Sequence, residues 1–124
     1  MKKAVILFAH GSMDPLWREP FERLRERVQE NNAGIPVMLA YMQFSPPALA
    51  DALSALKSRG AGEVLVIPLF LSAGGHMRHD LPEIKRKAIE AFPSLSLVFT
   101  DILGSRPEVQ DAFVLAIQSM LSGA

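Results

Sequence analysis

The chain has 124 residues, of which 49% are hydrophobic and 21% are charged, with 13 basic and 13 acidic side chains and no cysteine. This length predicts a single domain over residues 1–124, and the absence of net charge argues against nucleic acid or an anionic membrane as a partner. Without cysteine there is no disulfide framework and no thiolate metal site, so a metal ion would need nitrogen, oxygen or thioether ligands.

The first apolar run, Ala4 to Ala9, has the length of a β-strand. It follows two lysines, as the core of a secretory signal would, but it meets His10-Gly11 instead of a small-residue cleavage site. We therefore expect a cytoplasmic protein without a transmembrane span.

Four short apolar runs alternate along the chain with four helical patterns. Nearly continuous apolar strands are typical of a sheet that is covered on both faces. The alternation predicts four βα units, and hence an α/β domain with a four-stranded parallel sheet and helices on both faces. The predicted strands are Val5–Phe8, Val37–Met42, Val64–Ile67 and Leu95–Phe99, and the predicted helices are Pro15 to about Asn31, Pro47 to about Arg59, Pro82–Phe92 and Pro107–Leu121.

Each predicted helix begins with a polar residue close to a proline. An Asp or Ser side chain accepts amide hydrogens that the first turn leaves without partners, and proline fits a first turn that needs no donor. The predicted caps are Asp14, Ser45, Asp80 and Ser105, of which Asp80 and Ser105 also have capping-box spacing with Glu83 and Glu108.

A polar residue follows each strand: His10, Gln43, His76 and Asp101. In an open parallel sheet the carboxyl ends of the strands share one edge, and ligands bind there near the switch in strand order. Either histidine alone is as well explained by a rim residue that bonds a backbone carbonyl, but two at one edge predict a site. Two imidazoles are too few for a closed structural metal site, which usually has about four ligands, and they fit an open one.

The segment from Ser72 to Asp80 is the longest predicted loop. Gly74 and Gly75 allow backbone amides to face an anion, while Arg78 and the following helix start add positive potential. A simple βα turn is the alternative explanation. The segment has neither the ending of a Walker loop nor the glycine spacing of a dinucleotide fold.

Two further features allow more than one interpretation. Ser12 lies close to His10, but its surroundings resemble a loop leading to the Asp14 cap more than a nucleophile elbow, so a hydrolase is disfavoured. Methionines stand near three strand ends, where they are either adaptable core residues or an apolar lining for a planar ligand. These methionines are Met13, Met42 and Met77.

Taken in order, four motifs resemble the short-form class II sirohydrochlorin chelatases, which are small cobalt, nickel or iron chelatases of tetrapyrrole synthesis. The resemblance spans nearly the whole chain. The motifs are Ala9-His10-Gly11-Ser12-x-Asp14-Pro15, Tyr41-Met42-Gln43-Phe44-Ser45-x-Pro47, Val66-Ile67-Pro68-Leu69-Phe70-Leu71-Ser72-Ala73-Gly74-Gly75-His76 and Asp80-Leu81-Pro82.

The resemblance implies a flavodoxin-like domain in which His10 and His76 bind an incoming divalent metal ion and take up pyrrole protons. Co²⁺, Fe²⁺ or Ni²⁺ would be a substrate, and no cofactor would be permanently bound. The macrocycle would be held in a homodimer. Its expected contacts are Leu71, Ser72, Ala73, Gly74, Gly75, Gln43 and Arg78.

The chain departs from the resembling family at three positions. The family often has arginine where this chain has Met13 and glutamate where it has Gln43, and some members have a second acid where it has Pro46. Glutamine cannot titrate beside a metal as a carboxylate does. The alternatives to a chelatase are therefore a non-catalytic tetrapyrrole- or metal-binding paralogue and a small-ligand regulatory domain, because open α/β sheets host many functions.

Overall fold

The computed structural model describes residues 2–72 and 74–123, with the side chain of His76 left out. It contains four strands, four α-helices and one 3-10 turn in the order β1, α1, β2, α2, β3, α3, β4, turn, α4. The strands are β1 (Lys3–Ala9), β2 (Val37–Tyr41), β3 (Glu63–Pro68) and β4 (Ser96–Phe99). The helices are α1 (Pro15–Asn31), α2 (Leu49–Ser58), α3 (Gly75–Ala91) and α4 (Pro107–Gly123), and the 3-10 turn is Leu103–Ser105.

The sheet confirms the predicted α/β fold. Its four strands are parallel and lie in the order β2-β1-β3-β4, with β1 and β3 in the centre. Val5 on β1 is level with Val37 on β2 and with Leu65 on β3. All four strands therefore end at one edge, called here the carboxyl edge.

Alternate side chains of the strands pack into two apolar layers. Ile6 and Phe8 of β1 join Leu53 of α2 and Ala88 of α3 on one face. Leu7 of β1 lies on the other face, with Tyr41, Trp17 and Phe21. Complete burial of one such side chain contributes about 1.5–3 kcal/mol, so the central strand holds helices on both faces as predicted.

Of the predicted helix starts, that of α1 is confirmed: the Asp14 carboxylate accepts the Leu16 amide at 2.9 Å. The predicted start of α2 at Pro47 is wrong, because its N-cap is Ala48 and has no side-chain cap bond. The Tyr41 amide donates to the Pro47 carbonyl at 2.9 Å, which holds this segment alongside the end of β2 instead of letting it enter the helix.

The predicted start of α3 at Pro82 is also wrong, since the helix begins at Gly75 and contains Pro82. Proline in a helix removes one backbone hydrogen bond but need not end the helix when an apolar face packs on both sides of it. Leu81 and Ile84 supply that face against the core. Asp80 is consequently a helical residue and not a cap, and its proposed partner Glu83 is hydrogen-bonded to Arg86 instead.

The carboxyl-terminal helix starts at Pro107 as predicted, but Ser105 does not cap it. The Ser105 hydroxyl donates to the Ile102 carbonyl at 2.8 Å, within the preceding turn. No residue of α4 is buried. Among the residues that the structure describes, no helix is long and apolar enough to cross a lipid bilayer.

Candidate functional site

The carboxyl edge brings the sequence-predicted site residues onto neighbouring strand ends. His10 directly follows β1, and the segment from Leu69 to Gly74 follows the adjacent strand β3 and leads into α3. The connection after β1 leads to β2 on one side while β3 lies on the other, so the strand order switches between β1 and β3. Ligands of open α/β sheets bind at this type of point. Gln43 and Asp101 follow the two outer strands.

His10 is exposed, and its ring lies edge-on to Phe70 with the two ring centroids 6.3 Å apart. The backbone carbonyl of His10 accepts a hydrogen bond from the backbone amide of Gln43 at 3.2 Å. This bond continues the β1–β2 pairing beyond the two strands. Within the described residues, excluding the His76 side chain, the His10 imidazole has no hydrogen-bond partner. The backbone is held while the ring faces solvent, as an open metal site requires.

His76 lies in the first turn of α3, at the start of the helix that follows β3. Its side chain and the whole of Ala73 are outside the described residues. Joint binding of a metal ion by His10 and His76 therefore stays a prediction. The backbones of both histidines belong to segments that leave adjacent strands.

Gly11 explains why the chain can pass so close to Gln43. Its φ is +103°, and a Cβ there would lie 1.8 Å from the Gln43 carbonyl oxygen. Only glycine combines this left-handed conformation with such a close approach of two backbones. The close contact between the ends of β1 and β2 therefore requires glycine at position 11, directly after the candidate ligand His10.

Ser45 joins these same two segments. Its hydroxyl donates to the Ser12 carbonyl at 2.6 Å and accepts the Ser12 amide at 3.2 Å, and its side chain is buried. The Ser12 hydroxyl in turn accepts the Asp14 amide at 3.1 Å. Both serines stabilise loops. The sequence analysis placed Ser45 at the start of a helix. A serine followed by proline occurs at helix caps and also in loops that a serine side chain joins to another segment, so this pattern does not distinguish the two.

Exposed apolar side chains project from the segments that leave the carboxyl edge. We call four of them the apolar rim: Met13, Leu16, Phe44 and Leu71. Phe44 has φ +68°, which is uncommon for a bulky residue and is found disproportionately at functional sites.

Sequence reasoning found only part of this rim. Of the three methionines considered, Met13 is 81% exposed, whereas Met42 is half-buried against the core and Met77 is half-buried in α3. It missed Phe44 and Leu16. An aromatic residue directly before a serine–proline pair, where no strand or helix is predicted, was the available signal for Phe44.

The segment after β3 is held by backbone contacts. The Leu69 amide donates to the Phe8 carbonyl at 2.8 Å, and the Gly104 amide donates to the Phe70 carbonyl at the same distance. Leu71 and Ser72 follow and are exposed. The end of β3 is therefore fixed on both sides before the chain reaches α3.

Gly74 caps α3 with φ −70° and without a side-chain hydrogen bond. A Cβ on Gly74 or Gly75 would meet no atom within 4 Å of the described part of the chain, so neither packing nor left-handed backbone demands glycine here. Open space in front of a helix amino terminus suits an anion, because the first amides lack partners and the helix dipole is positive there. Arg78 is exposed one turn further along α3, where the sequence predicted a loop.

Glu83, further along α3, is paired with a neighbouring arginine. Arg86 donates to Glu83 and Glu90 on α3, and its hydrogen bond holds the pKa of the Glu83 carboxyl below its ordinary value. Elsewhere in the described ranges, no three histidine, aspartate or glutamate side chains gather as a metal-binding group. A metal ion at the carboxyl edge would therefore depend on the histidines, with its remaining ligands from substrate or water.

A cavity of about 580 Å³ lies elsewhere, beside the outer strand β2. Arg18, Arg25 and Arg59 line it together with Glu22 and Tyr41, and burial raises the pKa of the Tyr41 hydroxyl. None of the candidate site residues His10, Gln43 and Arg78 lines this groove, so it is separate from the candidate site at the carboxyl edge.

Comparisons with known proteins show what the whole chain is similar to. A family model described as CbiX matches residues 4–120. The sirohydrochlorin cobaltochelatase of Methanocaldococcus jannaschii is 34% identical over 82 residues, which make up 66% of this chain and 57% of that protein. The chain thus matches little more than half the length of that relative. A Saccharolobus islandicus protein of the same name is 26% identical over 120 residues, with 91% of each chain covered.

Solved structures share the fold. A protein named for cobalamin (vitamin B12) biosynthesis and CbiX, from Marinobacter aquaeolei VT8, superimposes with a TM-score of 0.87 at 30% identity, covering 98% of this chain and 99% of its own. The sirohydrochlorin chelatase SirB of Bacillus subtilis subspecies spizizenii, in complex with cobalt, gives a TM-score of 0.80 at 23% identity. This chain covers 51% of SirB, and that likeness concerns the fold alone.

Proposed function

Because this chain belongs to the CbiX family, we propose that it is a metal chelatase that inserts a divalent metal ion into sirohydrochlorin. The observation that carries the proposal is the placement of His10 and the start of α3 at the adjacent ends of β1 and β3. Relatives named cobaltochelatases favour Co²⁺, whereas imidazole ligands suit Fe²⁺ and Ni²⁺ as well. The metal is a substrate, and we propose no permanently bound cofactor.

Metal insertion requires that the ion lose water, reach one face of the ring and replace two pyrrole protons. Neutral imidazoles can do this work because they ligate first-row metals and accept protons near neutral pH. We assign both functions to His10 and His76. An open site with two protein ligands also releases its metal more readily than a closed site with about four.

The macrocycle contacts divide by chemistry. The apolar rim, with Leu71 and Phe44, suits the flat ring. Ser72, Gly74 and Gly75 at the start of α3 have backbone amides that suit its carboxylates, and Ala73, which lies outside the described residues, stays a predicted contact. Arg78 adds a guanidinium on the same helix, and Gln43 contacts the ring from the end of β2. Ser12 is not among the proposed macrocycle contacts, because its hydroxyl already accepts a hydrogen bond from the backbone amide of Asp14.

One apolar rim covers one face of a planar ligand, so the other face needs a second surface. We propose a homodimer in which two rims face a common cavity. The match over residues 4–120 supports a single domain over 1–124. A cytoplasmic location is part of the same proposal.

Metallation of sirohydrochlorin tests the proposed function. The protein is mixed with sirohydrochlorin and Co²⁺ or Fe²⁺ in the absence of oxygen, and the change in the absorption spectrum is followed. We expect a faster reaction than the protein-free mixture gives. An unchanged rate together with a saturable binding signal would instead establish the non-catalytic binder, which the absence of an acid at Gln43 favours.

We expect Gln43→Glu to increase the metallation rate. Gln43 is exposed at the end of β2, and its backbone amide donates to the backbone carbonyl of His10. A carboxylate at position 43 would therefore supply a titratable oxygen next to the proposed metal ligand. General acid–base assistance contributes about 10²–10⁴ in rate, so even partial gain is measurable in the same assay. Gln118→Glu on α4 makes the same charge change away from the edge and serves as the control. Equal metallation rates in the two variants would contradict the function assigned to position 43. The functions proposed for His10 and His76 would not be contradicted by that result.

A further inference from the structure

The groove beside β2 brings together three arginines that form no ion pair. Arg18 and Arg25 line it from α1, and Arg59 lines it from the residue directly after α2. Among the described residues, none of the three lies within ion-pair distance of a carboxylate, whereas Arg86 and Arg106 each pair with a glutamate. Three unpaired guanidinium groups therefore meet in one groove.

The other polar side chains of the groove only partly balance this charge. Within the described chain, Glu22 is the one acidic residue that lines the groove, so two positive charges are in excess. Burial, and next the charge of Glu22, raise the pKa of the Tyr41 hydroxyl, while Arg18 opposes them. Tyr41 therefore stays protonated at neutral pH and can donate a hydrogen bond to an anion.

Arg18 has a hydrogen-bond donor that the fold does not use. Its Nε atom is buried and has no hydrogen-bond partner, and it is the one buried side-chain nitrogen or oxygen in this condition in the part of the chain that the structure describes. A buried donor without an acceptor is costly, and more so when its group is charged. An anionic oxygen that drew the guanidinium into the groove would remove this cost.

The backbone of β2 forms the floor of the groove, because β2 is the outer strand of the sheet. The Met42 amide donates to the Ala9 carbonyl of β1. Since the backbone groups of successive strand residues point to opposite sides, the even-numbered residues of β2 bond β1. The backbone groups that face the groove are those of Val37, Leu39 and Tyr41.

Both ends of this strand edge already have partners. The Val37 amide donates to the Gln29 side chain at 2.9 Å, and the Val37 carbonyl accepts a bond from Arg25 at 3.2 Å. The Tyr41 amide donates to a carbonyl of the loop before α2. Leu39 lies between these positions, and no described residue bonds its outward amide or carbonyl. A single free position is too short for an added β-strand, so the groove fits a compact ligand and not an extended peptide.

The groove also has an apolar wall, formed by Leu39, Pro46, Pro47 and Ala55. Its volume of about 580 Å³ lies within the range of small-molecule sites, which is about 300–1,000 Å³. Such a volume accommodates an organic group in addition to an anion. The ligand that fits the groove therefore has a charged end and a less polar body.

We propose that this groove binds a small phosphorylated molecule, with its phosphate held by Arg18, Arg25 and Arg59 and its organic part against the apolar wall. A phosphate monoester is the ligand class because its nearly two negative charges match the excess positive charge, and guanidinium forks match its oxygens. The Leu39 amide and the Tyr41 hydroxyl add neutral donors. The site is distinct from the carboxyl edge proposed for the metal ion and the macrocycle.

Calorimetric titration with phenyl phosphate tests the proposal. We expect saturable binding, and binding of benzoate, which has the same ring but one negative charge, should be weaker by about tenfold or more. Trp17 provides a local signal, because it is the one tryptophan of the chain and its ring centroid lies 6.3 Å from that of Tyr41. Phenyl phosphate should therefore also change the tryptophan fluorescence.

Substitutions of the arginines locate the binding. Arg18→Gln and Arg59→Gln should each weaken phenyl phosphate binding by about tenfold or more, because each removes a charged donor. Arg25 is left unchanged, since it also bonds the Val37 carbonyl. Arg27→Gln is the matched control, because Arg27 is an exposed arginine of the same helix that does not line the groove. Unchanged affinity in the two groove variants, or an equal loss in Arg27→Gln, would overturn the proposal.

Three further outcomes would overturn it. These are an absence of saturable binding at millimolar phenyl phosphate, equal affinity for benzoate, and displacement of phenyl phosphate by metal-free sirohydrochlorin. The last of these would mean that the groove is part of the macrocycle site. None of these measurements depends on metallation, so the phosphate site and the proposed chelatase activity can fail separately.

Discussion

Replacing either His10 or His76 with alanine is expected to abolish metallation of sirohydrochlorin. Each substitution removes a proposed metal ligand and proton acceptor from the segments that follow β1 and β3. Loss of general-base assistance alone costs about 10²–10⁴ in rate, and loss of metal binding adds to it. The initial rate of the absorption change with Co²⁺ measures this effect, and fluorescence quenching of sirohydrochlorin by the same variants shows whether the macrocycle still binds.

His79→Ala is the matched control, because His79 is the third histidine of the chain and is exposed further along α3. It removes an imidazole without touching the proposed ligand pair, so the metallation rate should stay close to that of the natural chain. Unimpaired metallation in His76→Ala would refute the proposed mechanism. Equal losses in all three variants would show that the effect is a general one of removing histidine.

Gly11→Ala is expected to destabilise the fold by about 4 kcal/mol or more, among the largest effects of a single substitution. Alanine would have to adopt φ +103°, which costs about 1–2 kcal/mol, and its Cβ would overlap the Gln43 carbonyl oxygen. Urea unfolding followed by circular dichroism measures the loss. Any folded fraction should also metallate poorly, because the clash separates the chain segments that carry His10 and Gln43.

Gly34→Ala separates the two causes of this loss. Gly34 also has a left-handed backbone, with φ +88°, but a Cβ there would meet no atom within 4 Å. We expect a loss of about 1 kcal/mol, from the conformational term alone. Similar losses at the two positions would show that the close approach of Gly11 to Gln43 does not contribute.

Local rules were sufficient where a residue interacts with its sequence neighbours. The Asp14 cap was predictable because the carboxylate bonds an amide two residues away. The same reasoning failed at Ser45, which bonds Ser12, and at Pro82, where the packing of Leu81 and Ile84 extends α3 through the proline. In both cases a long-range contact outweighed the local signal.

Phe44 illustrates the same division within the candidate site. The sequence places His10, Gln43 and His76 after strands, and the rule for parallel sheets then brings them to one edge. Whether Phe44 is exposed or buried depends on a left-handed backbone at that residue and on how the end of β2 lies beside Gly11. No periodicity in the chain encodes that information.

By itself, the sequence determined the α/β class, the four strands and the presence of both histidines at the carboxyl edge. These follow from apolar periodicity and from residues that lie next to strand ends. Only the tertiary structure decided that β1 and β3 are neighbours, that Arg18 lines a groove beside β2, and that α4 leaves the domain with its apolar face uncovered. Strand order and helix direction depend on contacts between residues far apart in the chain, such as that of Gly104 with Phe70. The free energies of such contacts cannot be predicted from a local sequence pattern.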